Sequence, residues 1–415
     1  MPTQHVEDQS YLEITLVLHA GTTGRSYSGA MGLVLPPEVV EAVNRPTATA
    51  SALPNAAYWS HEFFRAERDH LFSATWTCIG NACSIPNAGD ARPVEMLGMP
   101  LLMIRQHDAS VAVFHNVCRH RGNQLVREEC TYKGSIMCPY HGWTYDTDGT
   151  LLATPHVGGH GTDDVDSVDR SERGLHSVRT AVWLDLVFVN LSGAAPAFDD
   201  FIAPLATRAE SLVTMSELER VKAATTHGSL TIEFAGNWKL CIENNLESYH
   251  LPWVHPDLNA LSRLEDHYDY EADDFAGQGT LAYDHTNVTS LMFPTFDGWN
   301  GRVAEYPTLY PNVFIGFHCD HMWTRVIEPL APDRSLDHFQ IYYLGGAADS
   351  DAHELARKER FDVWKKVFLE DIDVVEGMQL GRRSPAFDGG VFSPVMDTPS
   401  HHFAKWVANT LAGRV

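Results

Sequence analysis

An α+β protein of two domains is predicted from three features of the chain. Its 415 residues are long for one domain and comfortable for two. Between Trp76 and about Ser192 the apolar residues come in short β-type runs broken by turns. After about residue 193 long helical periodicities mix with strands. The expected organisation is a weakly ordered lead over residues 1–52, an all-β domain with a leading helix over 53–192, and an α+β domain over 193–415.

The lead ends in Asn44-Arg45-Pro46-Thr47-Ala48-Thr49-Ala50-Ser51, a small and polar linker composition. Residues 59–75 carry Phe63, Phe64, Leu71 and Phe72 at helical spacing. Residues 100–104, 111–114 and 183–189 read as strands, and Asp148-Gly149 reads as a hairpin turn between Trp143–Tyr145 and Leu151-Leu152. The acidic stretch 163–169 is a solvated loop. There is no internal repeat, no GxGxxG fingerprint and no Walker loop, so no nucleotide site is expected in the chain.

The net charge is −24, which opposes nucleic acid and anionic membranes as partners. No uncharged apolar run reaches membrane-spanning length. Seven cysteines are odd in number and sparse, and Met1–Asp8 lacks a basic leader region. A cytoplasmic protein with reduced thiols is expected. The 22 histidines direct attention to metal.

Cys118-Arg119-His120 and, seventeen residues further, Cys138-Pro139-Tyr140-His141 form two tight pairs flanked by β runs. Two facing loops would present two thiolates and two imidazoles to one centre. Such ligation fits a tetrahedral zinc or a Rieske [2Fe–2S] cluster, whose two Cys hold one iron and two His the other. Zinc knuckles group like ligands, whereas each loop here mixes them. The order favours the cluster. Cys130, between the pairs and without a paired His, is expected to be a plain buried thiol.

Positions 238–250 suit a helix with Leu240, Glu243, Glu247 and His250 on one face. Carboxylates on a partly apolar face are costly unless they bind something. His255 would lie roughly 140° around a regular helix from His250. Pro252 and Pro256 bend or end the helix there, which can return His255 to His250. Two neutral His need an anionic third ligand to form the facial triad of non-haem Fe(II) sites. A second helix over 361–380 offers Glu370, Asp371, Asp373 and Glu376, and spacing alone does not choose among them.

Together these segments resemble the α (terminal oxygenase) subunits of Rieske non-haem iron oxygenases. Arg119, Arg121-Gly122 and Pro139-Tyr140 around the cluster pairs carry the likeness. So do Asn244 to Pro256 (Asn-x-x-Glu-x-Tyr-His-x-x-x-x-His-Pro) and Glu370-Asp371 followed by Gln379-Leu380-Gly381. The resemblance spans roughly residues 53–410. It implies a Rieske domain followed by a helix-grip catalytic domain with an antiparallel sheet. It assigns Cys118, His120, Cys138 and His141 to the cluster, and His250, His255 and Asp371 to a mononuclear Fe(II). Asn244 joins the catalytic set, and Glu247 bridges the two metal sites between neighbouring subunits of a head-to-tail homotrimer. Most ring-hydroxylating members carry Asp at that bridge. This chain has Glu, as in the relatives acting on carnitine, choline and glycine betaine.

An oxygenase without a flavin or nicotinamide motif needs a separate NAD(P)H-dependent reductase, with O2 and a small molecule as substrates. Tyr249, Trp253, Tyr310, Phe317 and Trp323 are the substrate candidates, because aromatic faces attract quaternary ammonium. Phe314 and Tyr306 lie in the same stretch, and the alternative is that residues 310–327 and 338–344 are strands with core aromatics. The expected reaction is hydroxylation or N-demethylation of a methylated amine such as a betaine, choline or carnitine-like compound. The alternatives are hydroxylation of an aromatic acid and, in another class, a Rieske electron carrier without oxygenase activity.

Overall fold

The computed structural model describes residues 34–283, 291–296, 299 and 301–413. Residues 34–52, expected within a weakly ordered lead, are packed. Helix α1 (Pro37–Val43) buries Val40 and Val43 and meets the last helix, α10 (Thr398–Leu411). His401 locks this contact: its Nε2–H donates to Val43 O at 2.7 Å, and its Nδ1 accepts from the Thr47 hydroxyl at 3.0 Å. A polar linker composition did not reveal a partner from the far end of the chain. The rest of that expectation, on residues 1–33, lies outside the described residues.

Helix α2 (His61–Glu67) begins at Ser60, whose hydroxyl accepts from Glu62 N, and runs into a π turn over Arg68–Phe72. Ten strands follow: β1 (Thr77–Asn81), β2 (Asp90–Met96), β3 (Met99–Arg105), β4 (Val111–His115), β5 (Cys130–Thr131), β6 (Ser135–Met137), β7 (Thr144–Asp146), β8 (Leu151–Ala153), β9 (Ser177–Trp183) and β10 (Leu186–Asn190). They form an antiparallel sheet ordered β1-β10-β9-β4-β3-β2-β5 and a small sheet β6-β7-β8. The expected Asp148-Gly149 turn joins β7 to β8, with Gly149 at φ +90°. Cys130 departs from expectation: it lies on the short edge strand β5 and is exposed.

Helices α3 (Phe198–Glu210) and α4 (Met215–Leu218) lead into the second sheet. Its strands are β11 (Val221–Ala223), β12 (Ser229–Phe234), β13 (His267–Ala272), β14 (Phe275–Thr280), β15 (Ala304–Leu309), β16 (Val313–His318), β17 (Met322–Ala331) and β18 (Arg334–Leu344). The antiparallel order is β11-β18-β17-β16-β15-β14-β13, with β12 also on β18. Helices α5 (Trp238–Leu246), α6 (Leu251–Val254) and α7 (Pro256–Leu261) sit between β12 and β13, and α8 (Glu354–Glu370), α9 (Ile372–Gly381) and α10 follow β18.

The period of two along β16 and β17 divides the core. Phe314, Trp323 and Ile327 face the cluster shared with Trp238, Trp364 and Phe368 of the helices. Val313, Ile315, Phe317, Met322 and Val326 face the opposite cluster, with Phe188 of β10 and Leu205 of α3. Gly316 pairs across the ladder with Trp323, and a Cβ there would fall 2.1 Å from the indole, so glycine is what admits the large ring. Among the described residues no helix is long and apolar enough to cross a membrane.

Candidate functional site

The first constellation is built from two matching turns. Cys118 N donates to Asn123 O and Gly122 N to Cys118 O; Cys138 N donates to Trp143 O and Gly142 N to Cys138 O. Gly122 and Gly142 both take positive φ, +75° and +70°, which closes each turn without a Cβ clash. Both cysteines are buried in a core with Ile136, Trp143 and Tyr145, while His120 and His141 are exposed with ring centroids 4.7 Å apart. Arg119 N donates to the Tyr145 hydroxyl at 3.0 Å, and that hydroxyl lies 3.3 Å from Cys118 Sγ. Since the backbone supplies its proton to the hydroxyl oxygen, the hydroxyl's own proton is directed at sulfur. Buried sulfurs and outward imidazoles suit a cluster whose His-bound iron faces the surface.

The second constellation depends on broken helices. The expected helix over 238–250 is correct only to Leu246; Glu247 is extended, at φ −122° and ψ 155°. Gln278 Nε2 holds this break by donating to Asn245 O and Glu247 O, two carbonyls near the helix end. His250 then caps α6, and His255 sits between α6 and α7 with Pro256 opening α7. The interruption expected from the prolines thus returns His255 to His250, with ring centroids 5.1 Å apart. The expected helix over 361–380 is two helices, α8 and α9, meeting at Asp371.

His250, His255 and Asp371 each offer one ligand atom within 4.8 Å of the others. His255 Nε2 is 3.0 Å and His250 Nε2 4.0 Å from Asp371 Oδ1. The other ring nitrogens are engaged: His250 Nδ1 meets Glu247 Oε1 at 2.7 Å, and His255 Nδ1 meets Glu370 Oε2 at 2.9 Å. Ionised carboxylates only accept, so each Nδ1 carries the proton and each Nε2 turns a lone pair inward. Asp371 Oδ1 is buried without a hydrogen-bond partner. Three lone pairs converging on one buried point fit a cation, and two imidazoles with one carboxylate fit non-haem iron. Burial opposes charge on His255, but Asp371 and Glu370 outweigh it and raise its pKa. Burial likewise pushes the Asp371 carboxyl up, and His255 and His250 bring it below its ordinary value. Asp373, the rival third ligand, is exposed.

A cavity opens in front of these three residues, which all line it. Asn244 lines it, as does Trp323, the substrate candidate that reaches it; Trp323 packs at 5.3 Å from Trp364 and 6.0 Å from Tyr306. The other four candidates do not line it. Tyr310 is buried under α10, near His402 and Phe403, and Phe317 points to the opposite face of the sheet. Tyr249 and Trp253 are exposed, at 51% and 83%. Trp364, Phe368 and Arg325, which also line the cavity, and Glu370, as the partner of His255 Nδ1, were not foreseen. A signal existed for two of them, because 364, 368 and 371 share one helical face at i, i+4 and i+7.

Residues 75–168 match the model of the Rieske [2Fe-2S] domain, and residues 221–413 match that of the ring hydroxylating alpha subunit (catalytic domain). The chain is 27% identical over 398 residues to the glycine betaine monooxygenase oxygenase subunit of Pseudomonas aeruginosa, covering 87% of this chain and 89% of that one. It is 26% identical over 342 residues to the carnitine monooxygenase oxygenase subunit of Escherichia coli, covering 82% and 86%. Its fold matches that of a quaternary ammonium Rieske monooxygenase solved in complex with L-carnitine, at TM-score 0.73 and 22% identity over 91% of this chain and 99% of that one. Naphthalene 1,2-dioxygenase from Rhodococcus sp. has the same fold, at TM-score 0.70 and 16% identity over 91% and 98%. Both domains, in this order on one chain, carry a [2Fe–2S] cluster and a mononuclear iron, and the chain belongs to the Rieske non-haem iron oxygenases as an α subunit.

Proposed function

We propose that this oxygenase hydroxylates or N-demethylates a methylated, quaternary amine. The observation that carries the reading is the wall of Trp323, Trp364 and Tyr306 beside the two imidazoles and the carboxylate. Aromatic faces hold a quaternary ammonium, which has no N–H to donate, at about 0.5–2 kcal/mol per ring. The names of the glycine betaine and carnitine relatives support it. Hydroxylation of an N-methyl carbon gives a hemiaminal-type product that breaks to the smaller amine and formaldehyde. One atom of O2 enters the C–H bond, and the other leaves as water with two electrons and two protons.

In this proposal Cys118 and Cys138 hold one iron of the cluster, His120 and His141 the other, and His250, His255 and Asp371 the mononuclear iron, with Asn244 at the cavity wall. Bound iron would supply open positions for O2. The chain's own part is to orient the imidazoles through Glu247 and Glu370 and to shape the cavity. Electrons come from a separate NAD(P)H-dependent reductase, in the cytoplasm, where thiols stay reduced.

The assembly we propose is a head-to-tail homotrimer, in which Glu247 joins His250 to a cluster imidazole of the neighbouring subunit. Exposed Val391 lines a groove with Glu247, exposed Tyr249 and Trp253 follow Glu247 closely in the chain, and exposed Met137 and Tyr140 adjoin the cluster pairs. The charges agree: Glu247 shares its side with Asp269, which burial above all pushes up to about 6, while Arg121 stands exposed beside the cluster.

Turnover is tested with a surrogate reductase and NADH. Glycine betaine or carnitine should release formaldehyde in step with NADH consumption. Oxidation of an aromatic acid with no formaldehyde from any methylated amine would overturn the reading. The Tyr145 hydroxyl gives a second expectation. Tyr145→Phe removes a hydrogen bond to Cys118 sulfur, which stabilises the reduced, more negative cluster. A difference on the order of 1 kcal/mol between the two redox states corresponds to about 40 mV for one electron. The potential of the variant, read by voltammetry, should fall by about that amount with the visible spectrum kept.

A further inference from the structure

The cavity before the iron ligands has two unlike walls. One is aromatic. The other is polar, with Asn245, Ser262 and Gln278, and Arg325 belongs to it. Arg325 follows Trp323 by two positions on β17, so both side chains emerge on one face of the sheet. Among the described residues that line the cavity, Arg325 is the only permanent cation, since Lys is absent and His titrates. Its residue exposure is 3%, and its guanidinium lies 4.1 Å from the centre of the Phe368 ring. Phe368 packs in turn on Trp323 at 5.5 Å. The cation therefore stands at the edge of the aromatic wall.

The hydrogen bonds of Arg325 are unevenly distributed. Nε donates to Asp337 Oδ2 at 2.7 Å, and Nη2 pairs with the same oxygen. This takes one edge of the guanidinium. Nη1 donates only to Asn245 Oδ1, at 3.3 Å. Guanidinium has five N–H groups, and three are engaged by these contacts. The fork formed by Nη1 and Nη2, turned away from Asp337, matches the two oxygens of a carboxylate. Asp337 already balances the charge, so a ligand entering this buried space is best received if its own charges cancel. A zwitterion meets that condition, with its ammonium on the aromatic rings and its carboxylate on the fork.

Resting on the methylated-amine reading, we propose that Arg325 determines specificity within that class: it selects zwitterionic methylated amines that carry a carboxylate and rejects those, such as choline, that do not. Isothermal titration calorimetry on the metal-loaded enzyme tests this with glycine betaine, carnitine, choline and benzoate. Glycine betaine or carnitine should bind at least about tenfold more tightly than choline. Arg325→Gln should bring that ratio within about threefold and leave the affinity for choline in place. Arg325→Lys, which keeps the charge, should retain part of the preference. Because Arg325→Gln leaves Asp337 buried without its partner, the paired variant Arg325→Gln with Asp337→Asn provides a neutral replacement, its fold checked by the cluster absorption. The ligand series on the unmodified enzyme can overturn the proposal without any variant, and the variants assign the preference to Arg325. Choline binding as tightly as both carboxylates overturns the role of Arg325 and leaves the methylated-amine reading standing. Benzoate binding with no affinity for any ammonium compound overturns both.

Discussion

Asp371→Ala should reduce the iron content from about three to about two per chain, while the red-brown absorption of the cluster persists and substrate oxidation is lost. The physical basis is the convergence of His250 Nε2 and His255 Nε2 on a single buried oxygen, Asp371 Oδ1. Without the carboxylate, two neutral imidazoles remain, and the charge that favours Fe(II) over water is gone. Changes in the shell outside metal ligands already cost about 10–100-fold in affinity or activity, so loss of a ligand is expected to exceed that range. The cluster is spared because its proposed ligands sit on two loops of a different sheet with their own core. Iron quantification beside the visible spectrum checks both halves of the expectation. Unchanged iron in the variant would remove Asp371 from the site and reopen the choice of carboxylate.

Glu247→Ala should keep both metals yet slow turnover by on the order of 100-fold or more. Glu247 is not among the three converging ligands. It accepts from His250 twice, at the backbone N–H (3.1 Å) and at Nδ1 (2.7 Å). One role is therefore to fix the ring. The proposed second role is to accept from a cluster imidazole of the neighbour, which gives the electron a short bonded route. Glu247→Gln separates these roles. An amide oxygen can still accept from His250 Nδ1–H, while the NH2 group that replaces Oε2 meets the His250 backbone N–H, and any second imidazole N–H, donor to donor. If Glu247 only orients His250, the Gln variant should recover most of the rate. If it bridges, both variants should be slow. The reoxidation of chemically reduced cluster in the presence of O2 and substrate, followed by its visible absorption, reads the electron transfer itself. Wild-type reoxidation in Glu247→Ala would end the bridging proposal.

How much of this was legible in the sequence follows the distance between partners. The proposed cluster ligands lie between Cys118 and His141, so local turns bring them together and their spacing alone pointed to them. His250 and His255 were legible once the two prolines were read as an interruption. Glu370 appeared as one more candidate ligand. Only its contact with His255, 115 positions away, reveals it as the group that holds the imidazole proton. Four of the five aromatic candidates do not line the cavity, for a different reason. A strand reverses its side chains at every residue, so Phe317 and Trp323 can share a neighbourhood in sequence and face opposite cores. Tyr249 and Trp253 stand beside the iron ligands in sequence, yet the turn carrying His250 points them outward.

The sequence by itself determined the class of protein and its redox chemistry, because ligand types at tight spacing are local facts and the chemistry of two Cys with two His, or two His with a carboxylate, does not depend on the rest of the chain. Which carboxylate stands against the two imidazoles in space, which aromatic rings line the cavity, and how Arg325 shares its hydrogen bonds between Asp337 and Asn245 emerge only in the tertiary structure. Those questions concern the face of a strand and the angle between helices, and such angles are set by packing between segments that the linear order keeps far apart.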